Sequence, residues 1–191
     1  MALTCCQIDW ACTHYLSPNC TFLGVLPANL VPTNKQLKAI KGPIAFIANT
    51  DPSFEPGSHW LAFYRANSVP CKLECFDSFG MPASCYGFLN DAAYSSTSVN
   101  RTQFQANNSA ACGYYALYFL LHRAAFRTSL FNILNPLHYC LPLSADNYVK
   151  EFVKDYWPFP STPTAHCKFC CNHCCKPRTL IRYTQGYTHT H

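Results

Sequence analysis

The sequence has no hydrophobic run long enough to cross a lipid bilayer. Its longest, AACGYYALYFLL at 110–121, has 12 residues, whereas a membrane-spanning helix needs about 20. The opening MALTCCQIDWACTHYL also lacks the basic start and apolar stretch of a secretory signal. We therefore expect an intracellular chain that does not enter a membrane.

Charged residues are scarce, at 12% of the chain. The 14 basic residues exceed the 9 acidic ones, and the formal net charge of +5 favours polyanionic partners. Because the basic residues are spread along the chain, a dedicated nucleic-acid-binding module is not expected. No repeat of about 20 to 50 residues is visible, so no repeat architecture is expected.

Length and composition predict one domain and a tail. A chain of 191 residues, 49% of them hydrophobic, can bury one good core but not two large ones. We expect the domain to cover 1–160. The segment 161–191 is rich in cysteine and histidine and then polar and basic, and we expect it to be disordered or to bind metal.

Cysteine, by contrast, is abundant, with 14 residues. Free thiols or metal ligands are the main interpretation, and a small secreted disulfide protein is the alternative. The tail stretch HCKFCCNHCCK contains C-x2-C pairs, which suit zinc, although a redox-sensitive or disordered tail is the other reading. The candidate ligands are Cys167, Cys170, Cys171, Cys174 and His173, with His166 and Cys175 as further donors.

The pattern of elements predicts an α+β fold with a mostly antiparallel central sheet flanked by helices. After an irregular opening, 34–42 has a short helical pattern. Runs rich in β-branched and aromatic residues predict strands at 43–50, 59–65 and 71–80, joined by hairpin-scale loops. The polar stretch 81–108 has no clear assignment. A buried central helix is expected from about 110, and a second at 144–157 with Ser144 as its cap.

Cys112 is the cysteine best placed for chemistry. Cap-forming residues precede it and an apolar helix follows, so its thiol lies in the first turn of that helix. There the helix dipole favours a thiolate nucleophile. Gly113 leaves room for a substrate backbone. The alternative is that Cys112 is a small buried hydrophobic residue.

The residues that a cysteine nucleophile needs are present upstream. His59 opens the strand HWLAFYR and Asp77 lies in the next, CFDSFG, so the two can meet across one edge of an antiparallel sheet. The side chain of Gln105 and the backbone N–H of Cys112 can form an oxyanion hole. Each residue taken alone has another interpretation: His59 as a structural histidine, Asp77 as a turn former and Gln105 as a surface residue.

The stretches GSHWLAFYR, CFDSFG and QANNSAACGYY, in the order His, Asp, Gln, Cys, resemble the adenovirus-type maturation cysteine proteases, the adenain family. FLGVLPANLVPTNKQLKAIKGPIAFIANT is similar to the family's N-terminal segment and NYVKEFVKDYWPFP to its final helix. The similarity covers about 20–160. The wider clan of ubiquitin-like-protein proteases shares the residue order, but typically has an acidic residue where Ala111 stands.

The resemblance implies a fold and a function. The fold would be that of papain-like elements in permuted order, with the nucleophile at the start of the central helix. Cys112 would attack the scissile carbonyl, His59 would move the proton, Asp77 would orient His59, and Gln105 would stabilise the oxyanion. Trp60 would shape the substrate cleft beside the histidine. Substrates would be capsid and core precursors cut at Gly-containing sites, in the virion and host nucleus.

Activators are also implied by the resemblance. A short viral peptide and DNA would act as cofactors, neither of them required for the chemistry. No cysteine occurs between Cys85 and Cys112, where well-known members carry the one that holds this peptide by a disulfide. Non-covalent strand addition is the remaining route. Alternative functions are a protease acting on ubiquitin-like modifiers and a non-enzymatic virion protein with the same fold.

Overall fold

The computed structural model describes residues 2–16, 18–66, 72–90, 94 and 98–157, and within them the chain forms a four-stranded sheet and five α-helices. The strands are β1 (Thr21–Leu26), β2 (Ile44–Asn49), β3 (Trp60–Arg65) and β4 (Glu74–Phe76). The helices are α1 (Cys5–Leu16), α2 (Asn34–Ala39), α3 (Cys112–Leu120), α4 (Leu130–His138) and α5 (Pro142–Tyr156). The α+β class expected from the sequence is confirmed.

The sheet has the order β1-β2-β3-β4 and is mixed. The strands predicted from the sequence pair as antiparallel neighbours, β2 with β3 and β3 with β4. The outer strand β1 pairs in parallel with β2. In the β2–β3 hairpin Asn49 faces Trp60, and in the β3–β4 pair Ala62 faces Phe76. The start of β3 and the end of β4 therefore lie at the same end of the sheet.

The prediction that the chain opens irregularly was wrong. The structure places α1 and β1 there. The buried face of α1 includes Cys12 beside Ile8, Ala11 and Leu16, so this free thiol serves as a small apolar core group. Thr4 and Gln7 cap the helix reciprocally, with Thr4 N–H donating to Gln7 Oε1 at 2.9 Å and Gln7 N–H to Thr4 Oγ1 at 3.3 Å. This T-x-x-Q capping box was the overlooked signal.

Other element boundaries also differ from those expected. The last helix begins at Pro142, which occupies the first helical position, and Ser144 does not cap it. The third predicted strand is short, because the chain turns after Phe76. The helix predicted at 34–42 is α2, and Thr33 and Gln36 form its capping box. An unpredicted helix, α4, begins after Ser129, whose side chain accepts from Asn132 N–H.

Helix α3 lies at the centre of the larger core. All of its residues from Gly113 onwards are buried, so its apolar residues surround the axis as expected. It packs on β3 and against α1 and α5. The alternation of side chains along β2 and β3 sends Ala45, Ile47 and Ala62 to this helical side. Ile44, Phe46, Leu61 and Phe63 join a second core on the opposite face.

The half-buried side chain of Arg65 joins the end of β3 to the end of α2. Its guanidinium donates to the carbonyl oxygens of Leu37 at 2.6 Å, Ile40 at 2.6 Å and Gly42 at 3.1 Å. Carbonyl groups at a helix C-terminus have no partners within the helix, and a cation there also interacts favourably with the negative end of the helix dipole. Arg65 thus stabilises the segment that leads into β2.

We expect Arg65→Met to lower the free energy of unfolding by about 2 kcal/mol, because three carbonyl oxygens lose a charged donor. Urea titration measures this value. Arg101→Met is the matched control, since Arg101 is exposed, and it should change stability little. Equal stability of Arg65→Met and the wild type would contradict this role for Arg65.

Candidate active site

Strands β3 and β4 bring His59 and Asp77 into direct contact. His59 comes immediately before β3 and Asp77 immediately after β4, at the shared end of the sheet. The distance from His59 Nε2 to Asp77 Oδ1 is 2.6 Å. His59 is 8% exposed and Asp77 1% exposed, and the ring of Phe79 lies 4.9 Å from the imidazole, centroid to centroid. The pair is therefore shielded from water.

Cys112 completes a row of three groups. It is the first residue of α3 and is partly exposed. Its thiol lies near enough to His59 to help raise the pKa of the imidazole. Because Nε2 of the imidazole faces Asp77, Nδ1 is the nitrogen left for the sulfur. The residue before the helix, Ala111, offers no side-chain cap, so the first amides of α3 lie open beside the thiol.

The contacts of His59 and Asp77 hold both side chains in their charged forms. Burial by itself would lower the pKa of His59, but the hydrogen bonds to Asp77 and Cys112 and the charge of Asp77 outweigh burial and raise it above the usual 6.5. Burial would likewise raise the pKa of Asp77, but the hydrogen bond and charge of His59 lower it below 3.8, helped by Tyr86 and the Phe79 N–H. An imidazolium and a carboxylate therefore face each other at neutral pH.

Both oxygens of the Asp77 carboxylate are fully engaged. Oδ1 accepts from His59 and from the Phe79 N–H at 2.9 Å. Oδ2 accepts from the Met81 N–H at 3.1 Å and from the Tyr86 hydroxyl at 2.7 Å. These hydrogen bonds hold the carboxylate in one orientation and favour its charged form. Tyr86 lies in the stretch that had no assignment from the sequence.

The turn after Asp77 is held by the segment 100–102. The Asn100 side-chain amide donates to the Asp77 carbonyl at 2.5 Å, and its oxygen accepts from the Asp77 N–H at 3.2 Å. Gly80 has a φ of +70°, and a Cβ there would lie 2.7 Å from the Thr102 carbonyl. Only glycine fits this close approach without displacing the backbone. Asp77 is thus both a turn former and the partner of His59.

Gln105 lies in the loop that leads to Cys112 and is buried, with 1% exposure. It is not the surface residue that a lone glutamine suggests. Its Oε1 accepts from the Ser78 hydroxyl at 2.7 Å and its Nε2 donates to the Ser109 carbonyl at 2.9 Å. Since a primary amide carries two N–H hydrogens, one donor remains. Ser78 directly follows Asp77, so one turn orients both the histidine's partner and the glutamine.

Trp60 and Gly113 occupy different surroundings. Trp60 is half-buried beside His59 and lines a shallow pocket together with Pro27 and Gly57. A Cβ on Gly113 would lie 3.1 Å from Leu3 Cβ and 3.2 Å from Ile8 Cδ1. The space beside Gly113 is therefore filled by α1 and the residues before it. The glycine is needed for this packing, and that side of it is not open to a substrate backbone.

The zinc ligands predicted in the tail, Cys167, Cys170, Cys171, Cys174 and His173, lie outside the described residues. Within 2–157, apart from 17, 67–71, 91–93 and 95–97, no three histidine, cysteine or acidic side chains are grouped to hold a metal ion. Over the same stretches no helix is long and apolar enough to span a membrane. Among the described residues Cys5 is disulfide-bonded. The expectation that most cysteines are free thiols or metal ligands agrees with the free thiols of Cys12, Cys20, Cys75, Cys85, Cys112 and Cys140.

Comparison with known proteins yields no assignment. The chain matches no protein-family model, and no curated protein sequence matches it. Any function for this site has to be argued from its geometry.

Replacing Asp77 by Asn should lower the pKa of His59 towards 6.5, because burial then acts without the hydrogen bond and charge of Asp77 to oppose it. NMR titration of the imidazole measures this change. A histidine whose pKa is raised by folding contributes its full stabilisation at any pH below the ordinary histidine pKa. An aspartate whose pKa is lowered contributes its full stabilisation at any pH above the ordinary aspartate pKa. The wild type should therefore exceed Asp77→Asn in stability most between pH 3.8 and 6.5.

The matched control for that change is Asp155→Asn, which removes an exposed carboxylate on α5. The difference in stability between Asp155→Asn and the wild type should not be largest in this pH range. If His59 titrates at the same pH in the wild type and in Asp77→Asn, the ion pair does not govern its charge.

Proposed function

We propose that this chain is a cysteine endopeptidase with Cys112 as nucleophile. The observation that carries the proposal is the placement of one imidazole at 2.6 Å from the Asp77 carboxylate and beside Cys112, which contributes to the raised pKa of that imidazole. A cysteine nucleophile requires this arrangement, with a base beside the sulfur and a third group that orients the base. The partial exposure of Cys112 at the start of α3 leaves the sulfur accessible.

The first half of the reaction forms an acyl-enzyme. The Cys112 sulfur bonds to the scissile carbonyl carbon while His59 holds the thiol proton, and the π electron pair moves to the carbonyl oxygen. The remaining N–H of the Gln105 amide and the backbone N–H of Cys112 stabilise that oxyanion. The electron pair on the oxyanion then re-forms the carbonyl double bond, the C–N bond breaks, and the leaving nitrogen takes the proton from His59. A thioester on Cys112 and a free amine result.

The second half hydrolyses the thioester. His59 takes a proton from a water molecule whose oxygen bonds to the thioester carbon. When the tetrahedral intermediate collapses, the C–S bond breaks and the sulfur leaves as the thiolate beside the protonated His59. Asp77 stays charged throughout and stabilises the imidazolium. The carboxylic acid product departs and the site is ready for another cycle.

The similarity to the adenain family supplies the proposed substrates and setting. They are capsid and core precursor proteins cut at Gly-containing sites, with action in the virion and the host nucleus and with a viral peptide or DNA as activator. We further propose that the fold corresponds to papain-like elements in permuted order, built around a mostly antiparallel sheet. The chain order His59, Asp77, Gln105, Cys112, with the nucleophile's helix after the strands, supports this arrangement.

The test is covalent labelling by a peptide probe that ends in glycine and carries a vinyl sulfone. Mass spectrometry should find Cys112 modified selectively, and His59→Ala should slow the modification at least about 100-fold. Cys112→Ala should abolish it. His138→Ala and Cys85→Ala are matched controls, since both side chains are exposed, and neither should alter the rate at Cys112.

The labelling is repeated with a candidate viral peptide and with DNA. Labelling spread over several cysteines, or independent of His59 under all these conditions, would sink the proposal and favour a non-enzymatic protein. Cleavage of a ubiquitin-like conjugate in preference to a Gly-containing capsid peptide would instead assign the site to deconjugation.

The raised pKa of His59 also predicts a pH dependence. As the pH falls from about 8 to about 6, ordinary thiols lose reactivity because their thiolate fraction falls. Over this interval His59 stays protonated, so Cys112 keeps a cation beside its sulfur, unlike the exposed Cys85. The ratio of iodoacetamide alkylation at Cys112 to that at the exposed Cys85 should therefore rise over this interval. A constant ratio, or an equal rise in Asp77→Asn, would contradict the ion-pair explanation.

A further inference from the structure

Helix α5 carries a fully buried carboxylate that the catalytic scheme does not use. Asp146 is 0% exposed, and its Oδ2 has no hydrogen-bond partner. Burying a carboxylate costs several kcal/mol unless its oxygens are paired, and an apolar residue of the same size commonly gives a more stable core. Stability therefore does not account for this residue. The contacts of its other oxygen point to a different role.

Asp146 contacts the loop that precedes Cys112 and the helix that begins there. Its Oδ1 accepts from the backbone N–H of Ala106 at 3.4 Å. Burial and the nearby Asp146 raise the pKa of the Tyr115 hydroxyl, which donates to the Phe104 carbonyl at 3.0 Å. Ala106 directly follows Gln105, and Tyr115 lies on α3 three residues after Cys112. Asp146 thus joins α5 to the loop before Cys112 through the Ala106 N–H and lies beside α3.

The loop between Gln105 and Cys112 is closed on itself by two further bonds. The Ser109 N–H donates to the Ala106 carbonyl at 3.0 Å, and the Gln105 side chain donates to the Ser109 carbonyl. These bonds set the shape of the loop, and its start is held at Gln105 by hydrogen bonds with the side chain and backbone of Ser78. The Ser109 hydroxyl is buried without a partner, so it adds no anchor. The bond from Ala106 to Asp146 is what ties this shape to α5.

We propose that Asp146 is a positioning residue that holds the 105–111 loop, and with it the Gln105 amide, at the oxyanion position beside Cys112. The inference rests on the proposed function and specifies how its oxyanion hole is kept in place. An oxyanion donor acts only when its N–H lies within hydrogen-bonding distance of the developing charge. A small shift of the loop therefore weakens oxyanion binding without touching Cys112 or His59.

Two inhibitors separate oxyanion binding from thiol reactivity. With a glycine-terminated peptide aldehyde, the sulfur adds to the carbonyl carbon and the π electron pair moves to oxygen, which then occupies the oxyanion position. With iodoacetamide, the sulfur displaces iodide and no oxyanion forms. A loss of aldehyde affinity at an unchanged alkylation rate is therefore the signature of a displaced oxyanion hole. A general loss of structure would lower both.

The variants are Asp146→Leu, which removes the acceptor and keeps the branched shape of the side chain, and Asp146→Asn, which keeps an acceptor oxygen. We expect Asp146→Leu to weaken aldehyde binding at least about tenfold while alkylation of Cys112 stays within about twofold. Asp146→Asn should stay within about threefold on both measures. Asp155→Asn, which removes an exposed carboxylate from the same helix, should behave as the wild type.

Hydrogen exchange provides a readout that does not depend on activity. Peptides covering 105–111 should exchange faster in Asp146→Leu than in Asp146→Asn or Asp155→Asn, while peptides from β2 and β3 stay unchanged. The role of Asp146 would be overturned if Asp146→Leu left loop exchange or aldehyde affinity unchanged. It would also be overturned if Asp146→Asn and Asp146→Leu lost aldehyde affinity equally. If the wild type binds no aldehyde but loop exchange still depends on Asp146, the proposed function is overturned. The structural link between Asp146 and the loop is then supported.

Discussion

The contact between His59 and Asp77 is the interaction on which the rest of the site depends. It places two charges 2.6 Å apart in a region where neither is more than 8% exposed. Removing two ions from water costs several kcal/mol each, and their mutual attraction offsets this only when the remaining hydrogen-bonding positions are filled. Tyr86 and the amides of Phe79 and Met81 fill those of Asp77. Much of the turn after β4 serves this requirement.

The same turn connects the ion pair to the loop before α3. Asp77 faces the imidazole, and its neighbour Ser78 holds the Gln105 side chain through a hydrogen bond of 2.7 Å. Asn100 ties the turn to the segment that leads to Gln105. The three groups around Cys112 are thus linked through one short stretch of backbone. Each of the four residues of the short motif DSFG therefore has a separate structural task.

Much of the site was predictable from the sequence, because its main residues stand at the ends of recognisable elements. The strand patterns indicated where β3 begins and where β4 ends, and antiparallel pairing of neighbours then brings His59 and Asp77 together. The apolar run after Cys112 indicated a buried helix. The contacts of Tyr86, Asn100 and Ser78 were not predictable, because they join segments far apart in sequence through single hydrogen bonds. The stretch 81–108 has no periodicity from which to infer them.

Local patterns in the chain were enough to predict the α+β class, the three antiparallel strands, the buried helix that starts at Cys112, and the residue types needed for thiol chemistry. These features follow from hydrophobic periodicity and capping, which act over a few residues. Packing between distant segments determines that α1 fills the space beside Gly113, that the buried pair is charged, and that Asp146 reaches the loop before Cys112. Burial and charge depend on which distant segments pack together, and no local pattern specifies that packing.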